Sequence, residues 1–136
     1  KYDEALVCYG KALKFDQNNS QILYDIANCY YDQKNYEKAI SIFDESLKIN
    51  PDDEWSHYWK GNCYYNQKNY EKAISSFDES LKINPDHKHS HHSKAMCYFK
   101  QKNYEKASDC FKITLKINPN NKLSQEKLEI LHKNQL

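Results

Sequence analysis

With 136 residues, 39% of them hydrophobic and 29% charged, the chain carries enough apolar material for one ordinary domain and too little charge for disorder. Its 20 basic residues, every one a Lys, are met by 19 acidic ones, and the resulting formal charge of +1 gives no net field to draw in nucleic acid or an anionic bilayer. No apolar run nears the roughly 20 residues that a membrane-crossing helix needs, and no charged-then-apolar leader opens the chain.

The opening segment, KYDEALVCYGKALKFDQN, places Tyr2, Ala5, Leu6, Tyr9, Ala12 and Leu13 at helical spacing. Its pattern is already running at Tyr2 and its first residue is Lys1, so residues 1–19 are expected to be the second helix of an incomplete repeat, in a chain that starts inside a longer array. With no partner helix before it in this sequence, part of that stripe is expected to remain as an apolar patch. A second helix is predicted from Ser20 to Gln33, with Leu23, Ile26, Ala27 and Tyr30 on its inner face. Lys34-Asn35 then forms a two-residue turn that tolerates a cap or a left-handed conformation.

From Asn35 the period becomes plain. NYEKAISIFDESLKINPD (Asn35 to Asp52) returns as NYEKAISSFDESLKINPD (Asn69 to Asp86) and again as NYEKASDCFKITLKINPN from Asn103, so that Tyr2, Tyr36, Tyr70 and Tyr104 stand 34 residues apart. In each copy the positions of Tyr36, Ala39, Ile40, Phe43 and Leu47 make one helical stripe. The small residue lets a neighbouring helix come close, which predicts tight contacts at Ala39, Ala73 and Ala107. Pro51, Pro85 and Pro119 end these helices, and Asp52, Asp86 and Asn120 are expected to cap the next ones. Those next helices, Glu54 to Gln67 and Lys88 to Gln101, have a weaker inner stripe: His57, Lys60, Gly61 and Tyr64 in the first of them.

Three full repeats are therefore expected at residues 20–53, 54–87 and 88–121, followed by a capping helix at 122–136. That last helix keeps Leu123, Leu128, Ile130 and Leu131 and sets Gln125, Glu129 and His132 where a further helix would otherwise pack.

The pattern resembles the tetratricopeptide repeat family over nearly the whole chain. The family's Tyr, Ala, Phe and Pro columns are met at Tyr30, Tyr64 and Tyr98, at Ala39, Ala73 and Ala107, at Phe43, Phe77 and Phe111, and at the three prolines. The Trp column departs, holding Leu23, His57 and His91; the Leu column holds Ile26, Lys60 and Lys94; the Gly column keeps Gly only at Gly61. The resemblance implies an all-α, right-handed α-solenoid of 34-residue helix-turn-helix repeats that acts as a protein-interaction scaffold. It also implies a concave groove lined by the first helices, whose columns are Gln21, Trp55 and His89; Tyr24, Tyr58 and His92; Asp25, Trp59 and Ser93; Asn28, Asn62 and Met96; and Tyr31, Tyr65 and Phe99.

Within those columns the candidate partner-binding residues are Tyr24, Asn28, Tyr31, Trp55, Tyr58, Trp59, Asn62, Tyr65, His89, His92, Met96 and Phe99. They are aromatic and mostly uncharged, which suits a protein or peptide partner held by large, stiff rings and by amides that can bond a backbone in both senses. Tyr58 and Asn62 are expected to point to solvent. The subclass that grips a chaperone's terminal carboxylate needs cations here, and this sequence offers Tyr24, His92 and Met96, with only Asn28 and Asn62 in agreement; such a clamp is not expected. Two other readings stand beside the groove: a structural subunit that packs through its convex face and ends, and the targeting arm of an enzyme whose catalytic domain lies elsewhere.

Chemistry is sparse. Cys29, Cys63 and Cys97 fall 34 residues apart and read as repeated packing residues, with no C-x-x-C spacing, and reduced thiols favour an intracellular, cytoplasmic setting. His87 and His91, at i and i+4 within HKHSHH, invite a metal ion but lack acidic or Cys ligands at sequence-visible spacing, so a pH-sensitive contact is the better reading. Two glycines cannot build a phosphate-cradling loop, and no nucleophile-base set occurs, so neither catalysis nor a cofactor is expected. The patch on the opening helix is expected to fray, to receive a preceding helix in a longer chain, or to meet another copy in end-to-end self-association at a surface around Leu128 and Leu131.

Overall fold

The computed structural model describes residues 2–134, which form eight α-helices and no strand among the described residues. They are α1 (Tyr2–Phe15), α2 (Ser20–Asp32), α3 (Tyr36–Ile49), α4 (Glu54–Asn66), α5 (Tyr70–Ile83), α6 (Lys88–Lys100), α7 (Tyr104–Ile117) and α8 (Lys122–Asn134). Each helix packs on its neighbours in sequence, and the result is an α-solenoid of helix-turn-helix repeats.

Two kinds of turn, each used three times, set the geometry. After α2, α4 and α6 the chain passes through Lys34, Lys68 and Lys102 at φ of 63°, 62° and 61°, the left-handed conformation that closes a helix end. The amide of the following Asn reaches back to Tyr30, Tyr64 or Tyr98 at 2.9 Å, while the Lys amide bonds Tyr31, Tyr65 or Phe99. The same Asn then starts the next helix: the side-chain oxygens of Asn35, Asn69 and Asn103 accept from the amides of Lys38, Lys72 and Lys106. After α3, α5 and α7 the residue before proline swings to extended geometry, as at Asn50 (φ −129°, ψ 86°), because the pyrrolidine ring excludes the helical conformation there. The caps that follow sit one residue later than the sequence suggested. Asn19, Asp53, His87 and Asn121 accept from amides of α2, α4, α6 and α8, in place of Asp52, Asp86 and Asn120.

Three core clusters each join a helix pair to the first helix of the next. Ala27, Ala39 and Phe43 enclose Cys63 of α4; Ala73 and Phe77 enclose Cys97 of α6; Ala95, Ala107, Cys110 and Phe111 enclose Leu128 and Leu131 of α8. Ala39, Ala73 and Ala107 are fully buried, as their place in the repeat predicts. The thiol column is thus an inter-repeat packing column, completed at α8 by Leu131. Gly61 marks the tightest approach, since a Cβ there would lie 2.6 Å from Cε1 of Phe77.

The weak stripe of α4 and α6 has a structural answer. His57 Nε2 lies 3.1 Å from the Pro51 carbonyl and His91 Nε2 lies 2.7 Å from that of Pro85; Gln125 Nε2 donates to Pro119 at 2.7 Å. Lys60 and Lys94 reach Asp44 and Asp78 of the preceding helices, each at 2.6 Å. Polar residues therefore close the repeat interface where an apolar stripe would otherwise do so.

The two ends differ. α1 buries none of its residues, leaving Val7 exposed and Phe15 94% exposed, so an apolar patch does lie at this end. At the other end the expected partner surface for self-association is absent, because Leu128 and Leu131 point inward and are buried. The face of α8 that would meet a further helix holds the exposed Glu129 and His132.

Candidate functional site: the first-helix groove

α2 touches α4 and α4 touches α6, whereas no comparable contact joins the second helices α3, α5 and α7. The closer spacing of the first helices curves the array toward them and makes theirs the inner face.

The candidate aromatic residues on that face are built into the repeat as well as displayed by it. Tyr24, Tyr58 and His92 set their rings against Phe43, Phe77 and Phe111 at 6.0, 5.8 and 6.0 Å between centroids. Tyr31, Tyr65 and Phe99 meet Tyr36, Tyr70 and Tyr104 edge to face at 5.5, 5.6 and 5.7 Å. Trp59 bridges Tyr31 (5.1 Å) and Tyr58 (5.2 Å), and Tyr58 continues to Trp55 (5.7 Å). A chain of rings therefore crosses from α2 to α4 and on to His87 and His89 of the α6 end.

The expectation that Tyr58 points freely to solvent is corrected: it is half-buried against Phe77, Trp59 and His87, since a first-helix residue facing its own second helix cannot avoid the Phe column. Asn62 is half-buried too. The more open members are Trp55, 40% exposed, and His89. Burial raises the phenols of Tyr24, Tyr31 and Tyr65 above their ordinary value, so they face the groove as neutral hydroxyls. The Tyr31 hydroxyl accepts from Asn66 Nδ2 at 3.3 Å, a cross-repeat bond.

The groove also extends further than the sequence reading took it. Carrying the 34-residue step from His89, Ser93 and Met96 onto α8 reaches Leu123, Lys127 and Ile130. Leu123 and Ile130 are each 43% exposed, and Lys127 Nζ stands 4.6 Å above the Phe99 ring. His92 Nδ1 lies 3.0 Å from Ser124 Oγ, tying α6 to α8. The 34-residue period is the sequence signal that carries these positions onto α8.

The histidine cluster does not converge. His87 and His91 turn to different tasks, one capping α6 and the other bonding Pro85. Among the described residues, no three His, Cys, Asp or Glu side chains gather as a metal site would require. Burial pushes the thiols of Cys63 and Cys97 up to about 12, which keeps them protonated and weak as ligands or nucleophiles. No helix among the described residues is long and apolar enough to cross a membrane.

Comparison with known proteins agrees with this architecture. Residues 45–114, just over half of the chain, match the family model described as anaphase-promoting complex, cyclosome, subunit 3, and residues 1–60 match one described as tetratricopeptide repeat. The chain belongs to the tetratricopeptide repeat family, and its central half matches the form those repeats take in the family of anaphase-promoting complex subunit 3. No curated protein matches it in sequence.

Among solved structures, MamA superposes with a TM-score of 0.92 at 19% identity, covering 98% of this chain and 78% of that one. The first such domain of Spaghetti (RPAP3), bound to the HSP90 peptide SRMEEVD, gives 0.82 at 18% identity over 88% of this chain and 95% of that one. The Arabidopsis OM64 domain gives 0.81 at 17% identity over 85% and 95%. At such identities the likeness is one of fold.

Proposed function

We propose that the first-helix face binds a peptide or helix of a partner protein, as domains of this family generally do in mediating protein–protein interaction. The observation that carries this is the unbroken run of rings from Tyr31 through Trp59, Tyr58 and Trp55 to His89, flanked by the amides of Asn28 and Asn62. Packed rings are already immobilised, so little side-chain entropy is lost when a partner covers them. Leu123 and Ile130 extend the strip onto α8.

A carboxylate clamp like one that could hold the acidic HSP90 peptide in RPAP3 is not proposed. Lys60 and Lys94 are turned away to Asp44 and Asp78, which leaves Lys127 above the Phe99 ring as the cation on the extended groove, and a single ammonium does not supply the set of charge-assisted bonds that grips a carboxylate.

A second reading, a subunit that packs laterally in a larger assembly, draws support from the match to a family described as subunit 3 of a complex. Its contacts would fall on the second helices. A photo-crosslinking amino acid placed at Asn62 or Met96, and separately at Ser41 or Glu45 of α3, separates the two. The groove reading expects partner crosslinks from the first pair of sites, and binding little changed by salt because few ion pairs are screened. Crosslinks confined to Ser41 and Glu45 would move the interface to the second helices.

A further inference from the structure

We infer that His87 makes the junction of α4 and α6 acid-labile: the neutral imidazole caps α6 and backs Trp55, and a protonated one can no longer hold that cap. The four caps at the starts of first helices occupy one column, and three of them, Asn19, Asp53 and Asn121, are residues that accept a hydrogen bond at any pH near neutrality. His87 alone in the column can lose its acceptor by gaining a proton.

Nδ1 accepts from the Ser90 amide at 3.2 Å, an amide shared with the His87 carbonyl at 3.1 Å, and a ring that caps in this way carries its hydrogen on Nε2. Ser90 Oγ lies 2.9 Å from Nδ1 and 2.9 Å from Ser80 Oγ, which extends the network to α5. The side chain is only 4% exposed, and Nε2 is buried with no hydrogen-bond partner. It sits among rings instead, with Trp55 at 4.5 Å, Tyr58 at 5.3 Å and His89 at 5.9 Å between centroids.

Protonation brings three penalties together. The Nδ1 hydrogen confronts the Ser90 amide, donor against donor, even if the Ser90 hydroxyl turns to accept it. The new charge stands at the positive end of the α6 dipole. It is also buried beside a nitrogen that has nothing to bond.

The groups facing the ring do not cancel these penalties. Glu54 of α4 and a hydrogen bond to the backbone of His87 itself favour the charge, but the Glu54 carboxylate already accepts from Asn84 Nδ2 at 3.3 Å. His89 and His91 on α6 oppose the charge, and α5 contributes only the neutral Ser80. Burial, the largest influence, lowers the basicity of His87 below the ordinary histidine value. A base whose folded pKa is depressed binds more protons when unfolded, so its contribution to stability is complete above the unfolded pKa of about 6.5. It is lost progressively as pH falls from there toward the folded value.

The link to Trp55 rests on the groove reading, whereas the cap chemistry does not, and none of the measurements needs a partner. The test compares the full chain with His87→Asn, which keeps a cap of the kind seen at Asn19 and Asn121 but cannot titrate. Between about pH 7.5 and 5, the melting temperature of the parent protein should fall by roughly 3–6 °C more than that of the variant, the span expected for losing one cap in a chain of this size.

In the unmodified protein, the His87 ring resonance should titrate below the ordinary histidine midpoint. With Trp59→Phe so that Trp55 alone reports, emission should change across the same window, and His87→Asn but not His89→Asn should abolish that change. Parallel melting curves, or a His87 midpoint at the ordinary value, overturn the inference even if the variant folds poorly. A Trp55 signal that ignores His87 while the other two respond would sever the cap from the groove.

Discussion

The second helices α3 and α5 are near copies, differing only at Ile42 and Ser76, whereas the first helices α4 and α6 match at five of their thirteen positions, yet both kinds take up the same place in successive repeats. α3, α5 and α7 each bury an Ala, a Phe and a Ser or Thr. α4 buries Ser56, Gly61 and Cys63, and α6 buries Ser90, Ala95 and Cys97, residues with little apolar surface of their own. The second helix brings the bulk that fills the core, and the first brings small residues that let that bulk approach. With so little of the first helix committed to the core, its remaining faces are free to carry the polar closures of His57, Lys60, His91 and Lys94 on one side and the groove residues on the other.

That division of labour is broken most sharply at the Phe column. Phe77→Ala should cost about 3–5 kcal/mol, the range for emptying a fully buried aromatic site, while Trp55→Ala on the first-helix face should cost less than about half as much. Urea denaturation of both variants checks the contrast, and equal losses would mean that the first-helix rings belong to the core.

A smaller effect is expected where the small residue meets the bulky one. Ala73→Leu should overpack the contact between α5 and its neighbours by roughly 1–3 kcal/mol. A melting temperature unchanged by it would place Ala73 away from the tight contact.

The smallest expected effect lies in the turns that separate the two kinds of helix. Lys68→Gly removes the side chain from a left-handed residue, and should raise stability by roughly 1 kcal/mol after allowance for a freer unfolded chain. A loss of stability would show that the Lys68 side chain contributes a contact that outweighs its backbone strain.

Much of the site's location, and less of its form, was legible in the residues. The 34-residue step placed Trp55, Tyr58, Trp59 and Asn62 on one face of α4, because a helix of known phase leaves little freedom over which residues share a side. It did not reveal that Tyr58 is half-buried on Phe77, nor that Leu123, Lys127 and Ile130 prolong the same face. His57 and His91 read as gaps in an apolar stripe, yet each satisfies a proline carbonyl left free where a helix ends.

What the sequence determined by itself was whatever short-range chemistry controls. Eight helices, the Lys-Asn turns, the helix stops before Pro51, Pro85 and Pro119, and the register of Ala39, Ala73 and Ala107 all follow from backbone sterics and spacing within a few residues. The tertiary structure decided which neighbouring polar residue becomes a cap, and it chose Asp53 and His87 over Asp52 and Asp86 because the chain direction after each proline is set by packing of the next helix. It turned Leu128 and Leu131 inward and Leu123 and Ile130 outward, and it paired Lys60 with Asp44 and Lys94 with Asp78. Those outcomes depend on groups that meet only when one helix lies against another, and no local pattern along the chain specifies how closely that packing will bring them together.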